Sequence, residues 1–130
     1  MLRKAQIAVL AALGVVLWLI VALILRRRPE ELVNPSTGFV LFATAPLTGW
    51  LSVGLCKRAG RLSPNQLLPG VALVGAVAMM LDGVALKWFS GIYGFDEQAL
   101  RADAAWLLWG YGVAFAIALI WAGRSQRSAR

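Results

Sequence analysis

Asp82 is a carboxylate in costly surroundings: the chain is otherwise apolar, glycine or proline from Leu67 to Leu86. An acid so placed can exchange a proton or hold a cation, because a bare carboxylate in hydrocarbon must be paired, solvated or protonated. Lys87 is no obvious partner. It follows Asp82 by five residues, about 140° around a helix, and its long side chain can snorkel to the end of the apolar run. The polar groups that could share a site with Asp82 are hydroxyls. Thr44, Thr48 and Ser52, followed by Cys56, recur at every fourth position and fall on one broad helical face. Two of the four residues on the Asp82 face, Gly75 and Ala78 against Met79 and Leu86, are small enough for another helix to approach. The expectation is that Asp82 points into a bundle, toward Thr44, Thr48 or Ser52.

Little other chemistry is available. The chain has no histidine, one cysteine (Cys56) and six acidic residues. That removes the commonest general base and the commonest metal ligand, and leaves no internal disulfide. No catalytic residue, metal site or cofactor is expected, and the acids make no recognisable acid–base pair.

The elements that must position these side chains are helices. Ala5 to Leu25, Ser36 to Cys56, Leu62 to Leu81 and Ala104 to Gly123 are each free of charge, and each has the roughly 20 residues needed to cross a bilayer. Sixty per cent of the 130 residues are hydrophobic. The fold expected is all-α: an integral membrane bundle of four transmembrane helices in a single domain, with helices at about 4–25, 37–56, 66–89 and 104–123. Arg3 and Lys4 precede an apolar run too long for a signal peptide, and no small-x-small cleavage site comes before Arg26, so an uncleaved first helix is expected. Pro29 stops that helix. Pro46 lies inside the second and frees the carbonyl of Phe42, which a hydroxyl or a neighbouring helix must answer. In the third connector, Ser90 to Asp103, Asp96 can cap a helix start and Phe95 can staple onto Leu100. A short amphipathic interfacial helix is expected there, ahead of helix 4. The basic tail Arg124 to Arg130 is expected to fray.

The net charge of +7 sits at the ends of the apolar runs, where it meets lipid headgroups; no nucleic acid is expected. Arg3, Lys4, Lys57, Arg58, Arg61, Arg124, Arg127 and Arg130 share one side. Arg26, Arg27, Arg28, Lys87 and Arg101 share the other. The larger group predicts both termini in the cytoplasm. Trp88, Trp106 and Tyr93 near one surface and Trp121 near the other read as an aromatic belt. Gly110, Ala114, Ala118 and Ala122 make a small-residue stripe along helix 4 that suits close helix packing, within the chain or against a second copy. The partners expected are the lipid bilayer and a second copy or another membrane protein. No internal repeat is visible.

From Leu68 to Ile120 the chain resembles a family of small, uncharacterised bacterial membrane proteins. The segments that carry the likeness are Leu68-Pro69-Gly70, Met80-Leu81-Asp82-Gly83-Val84-Ala85, Trp88-Phe89 with Ile92-Tyr93, and Ala105-Trp106-Leu107-Leu108-Trp109-Gly110-Tyr111. The resemblance implies four membrane helices with an acid in the third. Small multidrug-resistance exporters also have four short helices, but they carry an essential glutamate in helix 1. This chain has no acid between Lys4 and Leu25, so drug–proton antiport by their mechanism is not expected.

Two functions are compatible with these features. One is a non-enzymatic membrane protein that packs with itself or a partner. The other is a small transporter or channel using Asp82 as a proton or cation site. A polar cavity reaching Asp82 favours the second, and a close-packed surround favours the first.

Overall fold

A computed structural model describes residues 1–128. Four helices account for most of it: α1 (Lys4–Arg27), α2 (Pro35–Ala59), α3 (Pro64–Trp88) and α4 (Glu97–Ser128). A single 3-10 turn, Ser90–Ile92, lies between α3 and α4, and the described residues include no strand. All four helices are long and apolar enough to cross a membrane. Ala129 and Arg130, part of the expected frayed tail and of the charge count, lie outside the described residues. Short of them, the tail is not frayed: α4 remains helical to Ser128.

The helix ends follow from local chemistry. Asn34 caps α2, its Oδ1 accepting from the backbone N–H groups of Ser36 (3.1 Å) and Thr37 (3.4 Å), and Pro35 opens the helix without losing a bond. Gln66 in the first turn of α3 accepts from the backbone N–H of Ser63 at 3.2 Å. It also donates to the Met1 carbonyl at 2.8 Å. Buried Gln6 of α1 donates to the Gly60 carbonyl at 2.9 Å. These two glutamines fasten the start of α1 to the α2–α3 turn.

The interfacial helix is absent as a separate element. Its predicted start is in place, since Asp96 Oδ2 accepts from the Ala99 N–H at 2.8 Å. The helix that begins there runs without interruption into α4. No glycine or proline falls between Glu97 and Trp109, and the segment is rich in strong helix formers. Arg101 also pairs with Glu97 one turn away, at 2.6 Å. Phe95 is 90% exposed and makes no staple.

Helices α1 and α3 run side by side, as do α2 and α4, and α3 packs on α4; α1 and α2 touch only sparsely. Glycines set the closest approaches. A Cβ on Gly14 would lie 2.9 Å from the Val74 carbonyl oxygen of α3, and one on Gly75 would lie 2.7 Å from the Phe115 ring of α4. Two buried clusters result. Leu10, Val53, Cys56, Leu62, Leu67, Val71, Val74 and Ala118 fill the end where α1 starts. Ala22, Leu25, Leu32, Ala85, Tyr93 and Leu107 fill the other.

Candidate functional site

Asp82 faces inward from α3 and is 6% exposed. Its bonding partners are tyrosines. The Tyr93 hydroxyl donates to Oδ1 and the Tyr111 hydroxyl donates to Oδ2. The Trp18 indole N–H of α1 donates in turn to the Tyr93 oxygen at 3.0 Å. One carboxyl group thus ties together α1, α3, α4 and the α3–α4 connector. The connector delivers Tyr93 through its 3-10 turn, where the N–H groups of Tyr93 and Gly94 both reach the Ser90 carbonyl, at 2.9 and 3.1 Å. Tyr93 is fully buried, which removes it from the expected aromatic belt: its ring fills the core and its hydroxyl answers an acid. Burial first, then the Asp82 carboxylate, raises its pKa above the ordinary tyrosine range, so Tyr93 keeps its proton at neutral pH and acts as a donor.

The hydroxyls of α2 do not bond to Asp82. Thr44 donates to the Val40 carbonyl at 2.9 Å, Thr48 to Ala45 at 2.9 Å and Ser52 to Thr48 at 2.8 Å. In a helix a hydroxyl can reach the carbonyl one turn back, and here that local bond wins over a longer reach across the bundle. Thr44 lies on the outside of the bundle. The carbonyl freed by Pro46 is answered by a neighbour: Trp109 of α4 donates its indole N–H to the Phe42 oxygen at 2.9 Å. Trp106 does the same to Leu41 at 3.3 Å, so Trp106 is a helix–helix contact as well as a candidate belt residue.

Asp82 opens onto a cavity of about 160 Å³ between the four helices, only half enclosed and mostly apolar in its lining. Its polar lining comes from Asp82, Tyr111, Thr48 and Ser52, with Trp18, Trp106 and Phe115 among the aromatic walls. Thr48 and Ser52 therefore share a space with Asp82, and each hydroxyl oxygen keeps acceptor capacity toward it. Thr44 does not line it. The helix 4 stripe divides. Gly110 and Ala114 line the cavity, and a Cβ on Gly110 would meet nothing within 4 Å. Ala114 also backs onto Gly49 of α2. Ala118 is fully buried and Ala122 is half-buried.

The sequence puts Asp103 in the connector, whereas the structure puts it on α4. It is 1% exposed on α4, and neither carboxyl oxygen has a hydrogen-bond partner among the described residues. The signal for it was a period: Ala99, Asp103 and Leu107, four residues apart, are all buried and form one inward face once the helix is allowed to start at Glu97. The two salt bridges, Arg28–Glu31 and Arg101–Glu97, leave Asp82 and Asp103 without a cation among the described residues. Lys87 is exposed. The described residues contain no group of three or more histidine, cysteine or acidic side chains able to hold a metal ion. No family model matches this chain, and no curated protein or solved structure does either.

Proposed function

We propose that the chain is an integral protein of a bacterial inner membrane, with four spanning helices and cytoplasmic termini, and that it conducts protons or a small cation with Asp82 as the exchanging group. The membrane reading is supported by the outward faces of the helices. Val15, Val16, Leu19, Ile20, Leu23 and Ile24 of α1 are exposed together, and lipid is the natural cover for such a surface. The resemblance from Leu68 to Ile120 supports the bacterial assignment, and the charge distribution supports the orientation.

The observation that carries the functional reading is the cavity meeting Asp82. A purely structural acid has no need of open space beside it, whereas an acid that loads and unloads does. The competing reading, a packing protein without a transported substrate, is favoured by the two tyrosine bonds that lock Asp82 across the bundle.

Gly110→Leu separates the two. Gly110 lines the cavity, and a Cβ there meets nothing within 4 Å. In proteoliposomes the variant is expected to cut cation or proton flux while leaving thermal stability near that of the wild type. Unchanged flux with the cavity filled contradicts the transport reading. The orientation is checked by cysteine labelling from outside: a probe at Gln98 should react and one at Ser63 should not.

A further inference from the structure

The hydroxyl and indole groups that line the cavity share one property: each donates its proton elsewhere. The Thr48 hydroxyl donates to the Ala45 carbonyl at 2.9 Å, and the Ser52 hydroxyl to the Thr48 carbonyl at 2.8 Å. The Tyr111 hydroxyl donates to Asp82. Both indoles in the lining are engaged as well, Trp18 with the Tyr93 oxygen at 3.0 Å and Trp106 with the Leu41 carbonyl at 3.3 Å. Asp82 accepts one hydroxyl on each carboxyl oxygen, and each oxygen keeps a further lone pair. Beyond the weak S–H of Cys56, the side chains around the cavity therefore offer acceptors and no free donor. Such a lining suits a molecule that brings its own N–H groups. The carboxylate has no cation beside it among the described residues, so it also favours one that brings positive charge.

The walls decide what carries that charge. A hard metal ion such as calcium or magnesium takes about six or more oxygens. Here the oxygens are few and the lining is mostly carbon, which rewards contact with an apolar body. Trp18, Trp106, Tyr111 and Phe115 bring aromatic rings to the same space, and such rings attract an organic cation that lies over their faces. The cavity volume of about 160 Å³ is close to the roughly 150 Å³ of an apolar cavity that accepts benzene.

We propose that the cavity is a binding site for a small organic ammonium ion, a protonated amine with a compact apolar or aromatic body. Its N–H groups bond to Asp82, with the oxygens of Thr48, Ser52 and Tyr111 as the other acceptors around it. Its carbon body lies against the aliphatic and aromatic walls. This rests on the reading of Asp82 as a cation site and names the class of cation.

The test uses the full chain in nanodiscs of zwitterionic lipid, with binding read by equilibrium dialysis against empty nanodiscs. The probes are benzylammonium, benzyl alcohol as its uncharged counterpart, and methylammonium as the charge without the ring. Benzylammonium is expected to bind saturably, one per chain. Benzyl alcohol, which lacks the charge, and methylammonium, which lacks the carbon, should each bind at least about tenfold more weakly. Sodium and magnesium at matched ionic strength should not displace benzylammonium. Asp82→Asn should weaken its binding by about 10- to 100-fold, the range for a hydrogen bond to a charged group, and Gly110→Leu should remove the saturable component. Absence of saturable benzylammonium binding, equal binding of benzyl alcohol, displacement by either metal ion, or unchanged affinity in folded Asp82→Asn or Gly110→Leu overturns the proposal. The benzyl alcohol comparison needs no variant, so it decides even where Asp82→Asn does not fold. Proton flux that depends on Asp82, found without amine binding, overturns the amine site and leaves Asp82 as a proton site. Amine binding that depends on Asp82, with no flux of amine or proton in proteoliposomes, supports the site and overturns the transport reading.

Discussion

At the end of the bundle where α1 starts, Leu10, Val53, Cys56, Leu67, Val71 and Val74 meet in an apolar cluster, and the buried Gln6 lies one turn of α1 from Leu10. At the opposite end the apolar residues Ala22, Leu25, Ala85 and Leu107 pack with Tyr93, whose hydroxyl donates to the buried Asp82. The same four helices build both. What differs is which requirement each end must satisfy. The apolar end holds together by volume, so it is sensitive to atoms added or removed. At the polar end Asp82 is held by donors that answer its carboxyl oxygens, so that end is sensitive to a single missing hydroxyl. The cavity lies between them, lined by Asp82 on one side and reaching Val71 and Cys56 on the other.

The largest effect expected from this contrast is at the apolar end. Ala118→Leu adds bulk where no surface is exposed and should cost about 3 kcal/mol, the upper part of the range for overpacking. Leucine at Val113 should cost far less, because Val113 is only half-buried. Thermal denaturation in detergent reads both, and equal losses would dissolve the distinction. At the polar end, Tyr111→Phe changes almost no volume but removes the donor to Asp82 Oδ2. It should cost about 1–3 kcal/mol, the penalty for leaving a buried acceptor unanswered. If it proves neutral, the tyrosine bond is not what holds the acid in place.

The smallest effects sharpen the contrast on α2. Trp109→Phe keeps the aromatic ring and loses the bond to the carbonyl freed by Pro46, for an expected cost of about 1 kcal/mol. Thr44→Val should change stability by no more than about 0.5 kcal/mol, since Thr44 lies on the outside and its hydroxyl only repeats a local backbone contact. The reverse order would mean that the hydroxyls, rather than the indole, compensate for the proline.

The four helices were legible because hydrophobic runs of spanning length depend on composition alone; the expected starts at 37 and 66 fall two residues late, because Asn34-Pro35 and Ser63-Pro64 open α2 and α3. The inward direction of Asp82 was legible for a similar reason: an acid avoids an apolar face. Its partners were not. Thr44, Thr48 and Ser52 had the right period but were too close to their own backbone carbonyls, while Tyr93 and Tyr111 lie 11 and 29 residues away and are brought in by a connector and a second helix. A tyrosine near the end of an apolar run also suits a membrane interface, so residue type could not separate the two roles. Asp103 was hidden by a boundary. Reading helix 4 as starting after the last charge put Asp103 in a loop, whereas helix propensity carries the helix through that charge and turns it inward.

The most direct measurement of the central claim is proton flux through proteoliposomes containing the wild-type chain, against Asp82→Asn and Asp82→Glu. The asparagine keeps the shape and an acceptor for one tyrosine but cannot exchange a proton at neutral pH; the glutamate can. The account predicts flux in the wild type, its loss in Asp82→Asn and partial recovery in Asp82→Glu. Equal flux in wild type and Asp82→Asn, with both proteins folded, would contradict it.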